Sequence, residues 1–554
     1  MAPNFQMLLT SAGVSALLRE YLPTYFPGLF VGTATFFALQ YIVYIIYSII
    51  LYPRFFSPIR HVPEAPDGHF LFGQTKTVMR EFTGRPMRRW IENVPNDGLI
   101  RYSMWGQERL LVTTPKALSE VLVTKNYDFV KPQHVRNGLA RLLGVGILLA
   151  EGDEHKRQRK ELMPAFAYRH VKDLYPVFWS KAREMVQCLS KASKTDEKPT
   201  KKADSGSDKA QGEHAPGTVE VGNFTSRATL DIIGLAGMNN DFNSLQDPTA
   251  ELNQHYRTVF NPGKVGRLLQ IMGVFVPFWI LRRLPIQRNT EINDAVAYLK
   301  RICYSMIARK RKALAEKERT EKDILSVALE SGGFTDEDLV NQMMTFLAAG
   351  HETTATAMIW AIYNLCKFPE IQEKLRKEVR EKLPSLDQDV TAAELDGCHY
   401  LHAFCSEVLR LWSPVSLTLR IADKDTSING TFVPKDTTII LCPWATNNSV
   451  HLWGSDAHEF KPERWLDANG TSNNKGSADS NYSFLTFLHG PRSCIGQRFA
   501  QAEFACLVAA WVGRLDTKFE EGSELAEGEP EIKGGITAKP KGGLWVNLKE
   551  VQGW

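Results

Sequence analysis

The sequence predicts a mainly α-helical domain with small β-sheets, carried behind one membrane-spanning helix. Three observations predict it. From about Phe70 onward, apolar residues at helical spacing alternate with short β-like runs such as Ile100 to Val112. A stretch from Thr335 to Lys367 reads as one helix of some thirty residues, or about 45 Å, enough to cross a whole domain. Near the N-terminus, Leu29 to Tyr52 gives 24 positions without a charge.

Composition narrows the class further. A chain of 554 residues would ordinarily divide into roughly two to four domains. With 44% hydrophobic and 23% charged residues it is globular, and a net charge of +4 is too small to indicate a nucleic-acid partner. The eight cysteines, at 188, 303, 366, 398, 405, 442, 494 and 506, form no C-x-x-C pair. Neither a zinc site nor a disulfide framework is signalled, and a reducing compartment fits best.

The uncharged N-terminal segment, as a helix rising about 1.5 Å per residue, would span a bilayer core of about 30 Å. Gln40 and several tyrosines count against this, and a buried core helix is the competing reading. The apolar run from Phe5 to Leu18 has no Lys or Arg before it and does not read as a cleaved signal peptide. Arg54 and Arg60 follow the span, whereas Arg19 and Glu20 nearly cancel before it, which places the C-terminal bulk in the cytosol. Residues 1–53 are thus read as an anchor region with its helix at about 29–52. Pro53, Pro58, Pro63 and Pro66 make 54–69 a stiff, non-helical linker, a stalk between membrane and globule. The domain follows over 70–554.

Within it, Gly152 opens a strongly basic helix, Gly-Asp-Glu-His-Lys-Arg-Gln-Arg-Lys-Glu, which as sequence alone is a solvated charged face. Residues 190–217 carry too little apolar surface to order themselves and read as a flexible insertion. Leu268 to Leu284, containing Phe275, Phe278 and Trp279, is either a membrane-contacting lip or ordinary core. The long helix starts with Thr335 as N-cap and Asp338 three residues on, a capping-box pattern, and closes at Phe368-Pro369. Inside it lies Ala349-Gly-His-Glu-Thr-Thr354, and a mid-helix glycine costs about 1 kcal/mol relative to alanine. Glu407 and Arg410, at i and i+3, share a helix face. Pro462-Glu-Arg-Trp465 adds an arginine in a turn-rich loop.

The most informative stretch is Phe487-Leu-His-Gly-Pro-Arg-Ser-Cys-Ile-Gly496, followed by a helix to about Leu515. It sets Cys494 between two glycines, which let backbone approach a large flat ligand where a side chain would collide. Heme iron is the natural ligand. Backbone N–H groups near Ile495 and Gly496 can bond the sulfur, and Phe487 can shield it from water.

Phe487-x-x-Gly490-x-Arg492-x-Cys494-x-Gly496 is similar to the heme-binding signature of the cytochromes P-450. Three further motifs follow in that family's order, so the resemblance covers roughly residues 60 to 550 and implies one large, mainly α domain of the cytochrome P-450 fold behind its anchor. It implies heme b (iron protoporphyrin IX) with Cys494 as axial thiolate, and Phe487, Arg492 and Gly496 about it. Family members often hold a heme propionate with a Trp and, four residues on, an Arg. Here those positions are His155, a departure, and Arg159; Arg420 would be another propionate partner. Ala349 to Thr354 resembles the oxygen-binding stretch, with small residues making room for O2 and Glu352 and Thr353 as proton relay. Glu407, Arg410 and Arg464 would form a buried network. Phe346, Ala349, Val415, Leu419 and Ile536 would line the pocket for an apolar substrate.

The implied reaction is monooxygenation of an apolar small molecule with O2, on the cytosolic face of the endoplasmic reticulum membrane. Electrons would come from NADPH through a separate cytochrome P-450 reductase, with cytochrome b5 as alternative donor, docking on Lys156, Arg157 and Lys160. The chain looks like fungal members that tailor secondary metabolites. A fatty-acid, sterol or xenobiotic hydroxylase is the alternative within the family, and a heme-thiolate isomerase, a heme sensor or a structural membrane protein are alternatives outside that chemistry. Asn-x-Ser/Thr sequons at Asn223, Asn429, Asn448, Asn469 and Asn481 are expected to stay unused in a cytosolic domain.

Overall fold

The helix Asp336–Lys367 runs through the middle of the protein. Thr335 accepts from Asp338 N and the Asp338 side chain accepts from Thr335 N, so the predicted capping box forms. Most of this helix is buried on every side, against Val221–Met238, Gln497–Arg514 and the strand Leu515–Phe519. The helix Gln497–Arg514 is equally enclosed, every side chain from Phe504 to Val512 being at most 1% exposed. Such all-round apolar burial marks the centre of a large domain. One cluster of buried residues extends from Ile147 to Trp554, which explains why the length-based division into several domains fails. This computed structural model describes residues 3–21, 28–82, 84–194, 217–260, 263–273, 278–316, 323–533 and 535–554.

The β-structure is peripheral. Leu99–Met104 and Gln107–Val112 form a hairpin where the sequence reads as a β-like run over Ile100 to Val112. Thr438–Leu441 joins Gln107–Val112 in parallel, Thr418–Ala422 pairs antiparallel with Thr438–Leu441, and Phe129–Val130 closes the sheet. The C-terminal strand Trp545–Glu550 lies between Thr218–Glu220 and Leu515–Phe519.

At the N-terminus the helical segment Leu29–Phe56 is 28 residues long, and its most apolar window is not buried in the protein, which removes the core-helix reading. Gln40 bonds Thr10 and Ser11 of the helix Pro3–Tyr21 at 3.2 Å each, so its polar group is satisfied between two apolar helices. Two expectations change here. Arg54, Phe55 and Phe56, assigned to the linker, are helical: Pro53 sits inside a π-helical stretch, Tyr47–Phe56, whose wider turns accommodate its missing N–H. Nor is the following segment a free stalk. Arg101 N donates to Pro63 O and Ala65 N to Arg101 O, both at 2.8 Å, so the proline-rich chain lies along the sheet edge, where proline is tolerated. Arg101 Nη1 also donates to Pro53 O at 3.0 Å, tying the end of the apolar helical segment to the hairpin.

Of the proposed insertion, residues 195–216 lie outside the described residues, while 190–193 belong to the helix Tyr175–Ser193. Phe275 and the side chains of Phe278 and Trp279 also lie outside the described parts of Leu268 to Leu284. There Leu268 is 57% exposed and Leu281 only 3%, so the segment has both an outward and an inward face.

Candidate active site

The central helix is buried along Leu339–Leu347 and again along Thr354–Cys366, but accessible between these at Ala348–Gly350, Glu352 and Thr353. Phe346, Ala349 and Thr353, spaced i, i+3 and i+7, share one helix face. Phe346 packs edge-on against Phe166 at 5.6 Å, and the Cβ position of Gly496 looks toward that same Phe166, 3.8 Å away. Gly496 has an ordinary φ, and among the described residues nothing lies nearer to its Cβ position than Phe166. The glycine there keeps backbone thin beside the recess without being needed by the fold.

The cysteine loop is held by its own hydrogen bonds. Cys494 N donates to Phe487 O at 2.8 Å and Ser493 N to Gly490 O at 3.0 Å. Gly490 has φ +75°, and a Cβ there would lie 2.2 Å from Leu122 O, so this glycine is fixed by conformation and by space. All eight cysteines are free, and Cys494 is the exposed one. Its sulfur sits in a recess deep enough that burial pushes the thiol up, against the Gly496 N–H and Arg159, which draw it down. Phe487 packs on the main core.

Around this loop gathers positive charge from four segments. Arg159 donates to Ser493 O and, at 3.3 Å, to Ser493 Oγ. Arg420 donates to Thr418 Oγ1 and Leu419 O. Arg492 donates to Phe129 O at 2.6 Å and pairs with Glu151, while its Nε has no hydrogen-bond partner among the described residues. Lys131 lies 3.7 Å from Glu151, and burial together with Arg420 pushes its ammonium down to about 7. Burial, with repulsion from Arg492 and Lys131, pushes His155 down to about 4, so its ring is a neutral hydrogen-bonding group 3.1 Å from the Tyr127 hydroxyl. Among the described residues, Lys131, Arg420 and Arg492 thus share the carboxylate of Glu151, Arg136 adds further positive charge, and Arg159 lies against the cysteine loop. Lys131, Tyr127 and Glu151 escaped sequence reasoning because no local pattern marks them.

A planar group bearing two carboxylates and a metal that takes a thiolate fits this donor set. Heme is such a group: Cys494 would supply the sulfur, the basic side chains in excess of Glu151 would partner its propionates, and Gly496 would leave its edge of the recess clear.

The expected relay pair is not joined. Glu352 accepts from Lys539 Nζ at 2.6 Å and from Thr537 Oγ1 at 3.1 Å, whereas the Thr353 hydroxyl donates to Ala349 O at 2.9 Å. Gly350 has a packing role: a Cβ there would stand 3.0 Å from Ile233 of Val221–Met238, so the glycine lets two helices cross closely. The C-terminal turn approaches the segment that carries two of the expected pocket residues. Ala538 donates its N–H to Pro414 O at 2.9 Å, which sets Ile536, 68% exposed, near the segment bearing Val415 and Leu419.

Glu407, Arg410 and Arg464 meet away from solvent. Arg410 donates twice to Glu407 at 2.8 Å, Arg464 Nε donates to Oε1 at 2.9 Å and Trp465 Nε1 to Oε2 at 2.9 Å. Two of the three basic residues expected to dock a redox partner are engaged locally, Lys156 with Asp153 and Arg157 with Glu154, while Lys160 is exposed.

Residues 63–546 match the family model described as cytochrome P-450. The chain belongs to the cytochrome P-450 family. It is 44% identical over 520 residues to the cytochrome P-450 monooxygenase sphH of Aspergillus fumigatus, covering 92% of each chain. It is 42% identical to the monooxygenase ALT8 of Alternaria alternata (91% of this chain, 92% of the relative). With the monooxygenase FUM15 of Gibberella moniliformis it shares 40% (92% and 91%). This cytochrome P-450 is therefore a heme-thiolate monooxygenase.

Proposed function

We propose that this cytochrome P-450 oxidises an apolar small molecule, in a fungal secondary-metabolite pathway, at the cytosolic face of the endoplasmic reticulum membrane, with electrons from NADPH through a separate reductase. The observation that carries the chemistry is the free Cys494 thiol beside the basic group of Lys131, Arg159, Arg420 and Arg492, of which Arg492 pairs with Glu151. The pathway reading rests on the likeness to fungal relatives, and the membrane reading on the exposed apolar helix Leu29–Phe56.

When bound, heme supplies the reductive activation of O2 and the transfer of one oxygen atom to substrate. Cys494 would hold it as a thiolate and supply electron density to its iron. Arg159, Arg420, Arg492 and Lys131 orient it by charge, and His155 by hydrogen bonding. Phe346, Ala349, Val415, Leu419 and Ile536 present apolar surface to the substrate. Thr353 Oγ1 leaves the Ala349 carbonyl to hold a water, and Glu352 passes it a proton.

Membranes containing this chain and a reductase, given NADPH, isotopically labelled O2 and a panel of apolar small molecules, should yield a product with one labelled oxygen atom. Products whose new oxygen comes only from water would contradict the reading.

A further inference from the structure

The Glu352 carboxylate is held from the C-terminal turn rather than from its own helix. Lys539 Nζ and Thr537 Oγ1 both reach Oε1, at 2.6 and 3.1 Å. On the other side, His351 Nε2 stands 3.6 Å from Oε2, and its Nδ1 is 2.9 Å from the Tyr256 hydroxyl. His351 is 1% exposed, and burial pushes its pKa down against the pull of the Glu352 carboxylate. Ala538, between Thr537 and Lys539, is fixed by its bond to Pro414 O and by the Trp360 indole N–H, which donates to Ala538 O at 2.8 Å. Ile536, one residue before Thr537, is exposed on the same turn.

We propose that Lys539 is a positioning residue for proton delivery: it pins Glu352 as a carboxylate against Thr537, and the relay opens only when this ion pair does. The proposal rests on Glu352 serving the relay. Both expected members are bonded elsewhere, Glu352 to the turn and Thr353 to Ala349 O, so a hand-over between them begins with breaking these contacts. Because Ile536 shares the turn with Thr537 and Lys539, substrate pressing on it strains the pair that holds Glu352. The ionisable groups facing this carboxylate are Lys539, His351 and Tyr256, and Glu220 feels the same lysine. Burial alone would raise the Glu352 carboxyl; Lys539 and His351, with hydrogen bonds from Lys539 and Thr537, turn the net shift downward. Removing one close opposite charge reverses such a shift by about 1 to 3 pH units.

The test uses heme-loaded full-length protein. The carboxylic-acid C=O infrared band of Glu352, assigned by its loss in Glu352→Gln, is titrated in wild type, Lys539→Met and Lys539→Arg. In parallel, with reductase and NADPH and no added substrate, the share of O2 leaving as peroxide (two electrons, two protons) rather than water (four of each) is followed against pH. A ferrous carbon-monoxide band retained in every variant shows an intact site. Lys539→Met should raise the infrared midpoint by about 1 to 3 units and shift the peroxide profile with it, and Lys539→Arg should restore both. An unmoved infrared midpoint overturns the pinning. A moved midpoint with an unmoved peroxide profile overturns the positioning role. Glu352→Gln with a wild-type peroxide share at every pH removes the relay reading itself, independently of the Lys539 variants.

Discussion

Lys131 shares its surroundings with Arg420 and Arg492, and its ammonium, lowered to about 7, makes the charge excess measurable. An unfolded lysine keeps its proton to about 10.4. Between these values the unfolded chain binds a proton that the native state has released, so stability rises with pH across that window, and the full cost is present below about 7. Heme-depleted protein should therefore gain Tm from pH 7 toward 10, and Lys131→Met should flatten that rise; a rise unchanged in the variant would mean that Lys131 does not bear the repulsion. Thr353→Ala removes the hydroxyl now bonded to Ala349 O and should keep heme while raising the peroxide released per NADPH consumed. The same peroxide yield as wild type would exclude this hydroxyl from proton handling. Cys494, Gly490 and Arg492 were legible as sequence because one short loop carries them at fixed spacing. Lys131, Glu151, Thr537 and Lys539 were not, since they come from separate segments and meet only through tertiary packing.

Helix crossings and loop anchors set the geometry in which those residues act. A branched side chain at Gly350 must displace Ile233 where the central helix meets Val221–Met238. Gly350→Val should cost about 1 to 3 kcal/mol, read as a lowered Tm, and an unchanged Tm would show that the crossing yields without strain. Removing the charge of Glu407 leaves Arg410 buried without its carboxylate and Arg464 with Asp456, and loss of one partner from such a network costs about 3 to 5 kcal/mol. Glu407→Gln should thus lose most folded, heme-bound protein on expression; normal yield and Tm would contradict the network's structural role. The central helix was legible because its capping box, length and closing proline are local signals. That Gly350 serves helix packing was not, because Ile233 is more than a hundred residues away. The proline-rich segment misled for a related reason: proline density signals a non-helical chain, but not whether that chain floats free or lies along a sheet edge.

At the scale of the whole molecule, one core from Ile147 to Trp554 carries the site, and the apolar helix Leu29–Phe56 is fastened to the domain through the bonds of Pro53 and Arg54. A chain beginning at Ser57 should move at least partly into the soluble fraction after lysis. Complete membrane retention would assign the attachment to other apolar surface, such as exposed Phe70, Leu71 and Phe72. The apolar helix was visible in the sequence through its missing charges, while its docking onto the hairpin depends on Arg101, far along the chain. All other roles depend on Cys494 holding heme, and the ferrous, carbon-monoxide-bound absorption spectrum reads that bond directly. Wild-type protein should show the red-shifted Soret band of thiolate ligation, and Cys494→Ala, made in equal amount, should lose it. The same band in the variant would contradict the assignment.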